Sequence, residues 1–92
     1  MSEKYIVNQI KEYLKTVKDS FFWKEHGGQF GTAGLPDIIV CYKRRFIAFE
    51  VKTATGKTSV LQAVTHKRIR GAGGIAEVVR SVEDVRSVMA KV

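Results

Sequence analysis

Residues 34–52 read Gly34-Leu35-Pro36-Asp37-Ile38-Ile39-Val40-Cys41-Tyr42-Lys43-Arg44-Arg45-Phe46-Ile47-Ala48-Phe49-Glu50-Val51-Lys52. Two apolar runs, Asp37 to Tyr42 and Phe46 to Lys52, flank a basic turn at Lys43-Arg44-Arg45. Each run has apolar residues on both faces: Ile38, Ile39 and Val40 in the first, Ile47, Ala48 and Phe49 in the second. Strands of this kind belong in the middle of a sheet covered on both sides.

The same stretch carries charge where burial is expected. Side chains alternate along a strand, so Glu50 and Lys52 project from one face. If Lys43 and Arg44 form a two-residue loop, Tyr42 pairs with Arg45. Counting back in antiparallel register then sets Asp37 opposite Glu50. Facing residues have Cβ atoms about 4.5–5.5 Å apart, close enough for two carboxylates to share one small divalent cation. A turn one residue different would pair Asp37 with Val51, and no Asn-Gly or Asp-Gly fixes the register. Buried charges are costly unless they are paired or bound to a metal. A purely structural account has Lys52 neutralise one acid while the other lies near solvent at the strand end.

Working outward, residues 3–18 show helical periodicity, with Ile6, Val7, Ile10, Leu14 and Val17 on one stripe and Ser2 as N-cap. Glu3 falls near the middle of that stripe. It either complements the helix dipole in the first turn or reaches over the sheet toward the acids. Residues 20–24 are aromatic and strand-like, with Phe21, Phe22 and Trp23 expected in the core. Residues 26–34, with Gly27, Gly28, Gly31 and Gly34, form a loop. After the polar segment Thr53–Thr58, Ser59 and Gln62 fit a capping box for a second helix that runs to about Arg70, with Val60, Leu61 and Val64 as its apolar stripe. Gly71, Gly73 and Gly74 end it. Ile75 to Val79 is a strand, and Ser81 caps a final helix with Val82, Val85, Val88, Met89 and Val92 on one face. The order is α-β-β-β-α-β-α, a mixed α/β (α+β) layer fold in a single domain spanning residues 1–92.

Composition agrees with one compact domain. The chain has 92 residues, 45% hydrophobic and 27% charged, enough for a modest core and too short for two. Sixteen Lys and Arg against nine Asp and Glu give a net charge of +7. That balance favours a polyanionic partner, most simply nucleic acid. No apolar run is long enough to span a bilayer, and Met1-Ser2-Glu3-Lys4 lacks the pattern of a secretory signal. The lone Cys41 cannot make an intramolecular disulfide, so a reducing cytoplasm, of a prokaryote or a phage-infected cell, is the expected compartment. Cys41 is expected to be a buried core thiol, and His66 a helix-surface residue. Gly56-Lys57-Thr58 ends like a phosphate-binding loop, but Val51 stands where the first glycine is required, so no nucleotide cofactor is expected. Two histidines and one cysteine do not make a zinc site.

Gly34-Leu35-Pro36-Asp37, then Phe49-Glu50-Val51-Lys52, then Ser59 and Gln62, resembles the PD-(D/E)xK nuclease superfamily. Within it, the chain looks like a stand-alone VRR-NUC (virus-type replication-repair nuclease) domain over almost its whole length. The resemblance implies a restriction-endonuclease-like αβββαβ core with an extra C-terminal helix. It implies Asp37 and Glu50 as metal ligands, with the Val51 backbone carbonyl as a third. Lys52 would orient the attacking water or stabilise charge on phosphorus. Glu3 would match the first-helix acid, acting directly or through water, and Gln62 the glutamine that follows the core motif. It also implies Mg²⁺ or Mn²⁺ and a homodimer acting on branched DNA, such as four-way (Holliday) junctions or flaps, in replication, repair or recombination.

Hard oxygen ligands suit Mg²⁺ or Mn²⁺, which can activate water and offset developing charge in phosphodiester hydrolysis. DNA contacts are expected from His26, the hairpin tip Lys43, Arg44 and Arg45, and Lys57, Lys67, Arg68 and Arg70. Each basic group also reads as an ordinary solvated face. The alternative function is a non-catalytic DNA-binding module on a nuclease fold. It explains the charge but not the set Asp37, Glu50 and Lys52.

Overall fold

The computed structural model describes residues 1–26 and 33–92. Its elements are α1 (Glu3–Leu14), β1 (Ser20–Lys24), β2 (Ile38–Tyr42), β3 (Arg45–Val51), α2 (Val60–Gly71), β4 (Ile75–Val79) and α3 (Val82–Ala90). The strands form one mixed sheet in the order β1-β2-β3-β4, antiparallel except for the parallel pair β3–β4. The expected element order and mixed sheet are both present, with β2 and β3 in the centre. Residues 27–32 of the glycine-rich segment lie outside the described residues, and with them Gly27, Gly28 and Gly31.

Alternation on β2 and β3 divides the sheet into two unequal faces. Ile38, Val40, Ile47, Phe49 and Val51 point to the first face, where they are fully buried with Ile10, Leu14 and Val85 from α1 and α3. Burial of each large side chain contributes about 1.5–3 kcal/mol, so this layer is the main source of stability. The second face holds a smaller cluster, Ile39, Ala48 and Ala76, packed with Ile69 of α2.

α2 packs on β4 and leaves β1 and the Cys41 end of β2 uncovered on the second face by any described helix. Three expectations are corrected there. Cys41 is exposed rather than a core thiol. Phe21 and Trp23 are 67% and 44% exposed, while Phe22, on the opposite side of the strand, packs against the main core. The cause is common to all three: alternation turns them to the face that α2 does not reach.

α2 overturns two further expectations. Val60, Leu61 and Val64 face outward, 82%, 50% and 48% exposed. The residue the helix buries is His66, expected on its surface. The Ser59–Gln62 capping box is present with both arms, Gln62 N to Ser59 Oγ at 3.1 Å and Ser59 N to Gln62 Oε1 at 2.9 Å. α1 is capped by Ser2 as expected but stops at Leu14, four residues early, because Thr16 and Val17 turn back onto the carbonyls of Tyr13 and Leu14.

Candidate active site

The hairpin turn sets the register. Lys43 and Arg44 have φ of 50° and 66°, the left-handed pair that a two-residue type I′ turn requires. Tyr42 therefore pairs with Arg45 and Ile38 with Phe49. One step further along the two strands, Asp37 stands across from Glu50, in the first of the two registers open to the sequence.

Asp37 lies just before β2. Its carbonyl accepts the Glu25 N–H at 2.7 Å, which ties it to the end of β1. Its side-chain Oδ2 accepts the Val51 N–H at 2.8 Å, which fixes the carboxylate over β3. Glu50 is 2% exposed. Its Oε2 is 4.0 Å from Lys52 Nζ and its Oε1 is 4.0 Å from His66 Nε2. Glu50 Oε1 and His66 Nε2 are both buried with no hydrogen-bond partner among the described residues.

Burial pushes the Glu50 carboxyl up to about 8, helped by a hydrogen bond to Asp37 and by the charges of Asp37 and Glu3; Lys52 opposes the shift. The two acids thus hold a proton where a cation would relieve both. Burial and the positive charge of Arg70 lower the His66 pKa, so its imidazole is neutral at pH 7.

These donors fit a hard divalent cation. Two carboxylates converge, one of them with a buried oxygen that lacks a partner, and both prefer such an ion to a second proton. Among the described residues no group of three His, Cys, Asp or Glu converges on one point. Further ligands would therefore be backbone oxygen, water or substrate phosphate.

A cavity of about 390 Å³ opens beside Asp37, lined by Glu3, Lys4, Val7, Asn8, Lys11, Lys24 and His26. Glu3 is exposed in the first turn of α1, at this cavity rather than under the helix stripe. Lys4, Lys11 and Lys24 escaped the sequence reading. Their signal was present: Lys4, Asn8 and Lys11 share a helix flank at spacings of four and three, and Lys24 pairs with Ile38 next to Asp37.

The other expected DNA contacts are more dispersed. Lys43 and Arg44 sit at the far end of the hairpin, about 20 Å from Asp37 at ~3.4 Å per residue. The Arg45 guanidinium donates to the Gly73 carbonyl at 3.2 Å. Arg70 donates twice to the Ala76 carbonyl, at 3.0 and 2.6 Å, and so fastens α2 to β4. Lys57, Lys67 and Arg68 are exposed. Gln62 is half-buried, and its carbonyl oxygen is engaged in the capping box.

No protein-family model and no curated protein matches the sequence. Solved structures do. A structure described as "VRR_NUC domain" is 26% identical, with a TM-score of 0.78, covering 96% of this chain and 94% of that one. A "VRR_NUC domain protein" is 18% identical, with a TM-score of 0.80, covering 98% and 86%. The fold is that of the VRR-NUC nucleases, as the motifs imply, and this likeness over nearly the full length of both chains supports a VRR-NUC domain.

Proposed function

We propose that the chain is a divalent-metal-dependent deoxyribonuclease of the replication-repair type. The observation that carries this reading is the meeting of Asp37 with a buried Glu50 beside Lys52 at the open end of one hairpin. Such a pair is costly to maintain in a purely structural role, and it coincides with the P-D and E-V-K motifs. A bound Mg²⁺ or Mn²⁺ would supply an activated water and charge neutralisation at the scissile phosphate. Asp37 and Glu50 would hold it, with the Val51 carbonyl as a further oxygen ligand and Glu3 at the mouth of the site. Lys52, with its side chain 13% exposed beside Glu50, keeps a positive charge where the phosphorus oxygens gain negative charge. Lys4, Lys11, Lys24 and His26 draw the DNA backbone toward Asp37.

The reading extends to branched DNA as substrate and to a homodimer. Support for the dimer lies in the uncovered side of the sheet, where Phe21, Trp23 and Phe46 are exposed. A two-fold assembly would present two sites to a two-fold-like junction.

The test is cleavage of labelled linear, flapped and four-way DNA by wild type and Asp37→Ala, with EDTA, Mg²⁺ or Mn²⁺. Metal-dependent cutting by the wild type alone is the expected result. DNA binding by both proteins without cutting would favour a non-catalytic binding module.

A further inference from the structure

The buried face of α2 carries an imidazole where an apolar side chain would serve packing better. His66 is 2% exposed, and the helix stripe Val60, Leu61 and Val64 that could have filled this space faces solvent. The capping box at Ser59 and Gln62 fixes where the helix begins, and packing on β4 turns His66 inward. Its Nε2 stands 4.0 Å from Glu50 Oε1, both atoms being buried and without another partner among the described residues. A buried polar atom left without a partner is destabilising. Two such atoms, 4.0 Å apart and buried side by side, need only a small side-chain rotation to pair with each other.

We propose that His66 is a positioning residue for Glu50: its Nε2–H donates to Oε1 and holds the carboxylate with its other oxygen turned, together with Asp37, to the cation. The role rests on the nuclease reading above. It assigns α2 a function in the site that does not pass through Gln62. Donors behind a metal-bound carboxylate raise affinity by fixing its orientation, and their loss typically weakens metal binding about 10–100-fold.

Three full-length proteins test this: wild type, His66→Leu and His66→Gln. Leucine fills the space without a donor, whereas the glutamine amide keeps a donor at nearly the reach of Nε2. Mn²⁺ alone is titrated by calorimetry at pH 7.5, thermal unfolding checks the fold, and cleavage is assayed at saturating Mn²⁺. We expect His66→Leu to bind Mn²⁺ at least about tenfold more weakly and His66→Gln to remain within about threefold of wild type. If His66→Leu does not fold, His66→Met takes its place. Equal Mn²⁺ affinity in wild type and the donor-free variant overturns the proposal. So does a folded His66→Gln as weak as the donor-free variant, since packing rather than donation would then be at work. A wild type that neither binds Mn²⁺ nor cuts DNA overturns the nuclease reading and this role together. A wild type that does both, beside an unaffected donor-free variant, overturns this role alone.

Discussion

Asp37 Oδ2 accepts the backbone N–H of Val51 across the β2–β3 hairpin at 2.8 Å. One carboxylate therefore has a structural duty as well as its place beside Glu50, and two substitutions separate them. Asp37→Asn keeps an oxygen for the Val51 N–H and loses the charge. Asp37→Ala loses both and should cost about 1–2 kcal/mol of stability, read by urea unfolding. Both should abolish metal-dependent cleavage. A cleavage-competent Asp37→Asn would remove Asp37 from the chemistry.

Glu50 ties folding stability to pH. Its folded pKa, about 8, lies above the ordinary 4.5, so the native state holds a proton that the unfolded chain releases. Stability from this group is fully present below about pH 4.5 and is lost as pH rises through 8. His66, with its lowered pKa, acts mainly below pH 6.5, which leaves the range from 6.5 to 8 to Glu50. There the melting temperature of wild type should fall relative to Glu50→Gln, by an amount on the order of 1 kcal/mol per pH unit. Added Mn²⁺ should restore the wild type and leave Glu50→Gln unchanged. Parallel melting curves for the two proteins across that range would contradict the assignment.

In the proposed nuclease Lys52 stabilises charge rather than binding DNA. Lys52→Ala should slow cleavage at least about 100-fold, the scale of losing one oriented electrostatic donor. DNA affinity in Ca²⁺ or EDTA should stay within about threefold, because one partly buried amine adds little to phosphate contact. Gel-shift and single-turnover assays read the two quantities separately.

Under the proposed function, the cavity beside Asp37 favours the α1 lysines as the DNA contacts. Lys4→Ala and Lys11→Ala should each lower affinity for every DNA sequence and reduce the salt slope by about one. The pair Lys43→Ala, Arg44→Ala at the distant hairpin tip should have the smaller effect on cleavage. The reverse ranking would move the DNA path to the other end of the sheet.

The turn itself is under strain. Lys43 and Arg44 both occupy the left-handed region, at about 1 kcal/mol or more for each non-glycine residue. Changing them to Asn-Gly should raise the urea midpoint by the equivalent of about 1 kcal/mol and leave the register intact.

The hairpin was the most legible part of the chain, because alternation and turn length are local rules. From them the sequence implies the strand order of its centre, and the facing of Asp37 and Glu50 follows once the loop has two residues. What the sequence concealed was tertiary. The stripe Val60-Leu61-Val64 has the spacing of a core face, yet α2 is rotated by its contacts with β4 so that His66 enters instead. Nothing within the helix announces that rotation. Cys41, Phe21 and Trp23 were misplaced for a related reason: hydrophobicity shows that a residue could be buried, not that a neighbouring element extends far enough to bury it. Lys4 and Lys11 on α1 and Lys24 on β1 become a group only through the cavity they share beside Asp37.

Asp37, Glu50 and Lys52 all ride on one hairpin, whereas Glu3 and His66 arrive on helices packed against opposite faces of the sheet. The spacing of the two acids is thus insulated from changes in how those helices dock. Drift in α1 or α2 would retune the surroundings of a pair whose own geometry is inherited intact from a single turn. If the proposed function holds, substrate preference can diversify in such a scaffold while the acid pair stays the same.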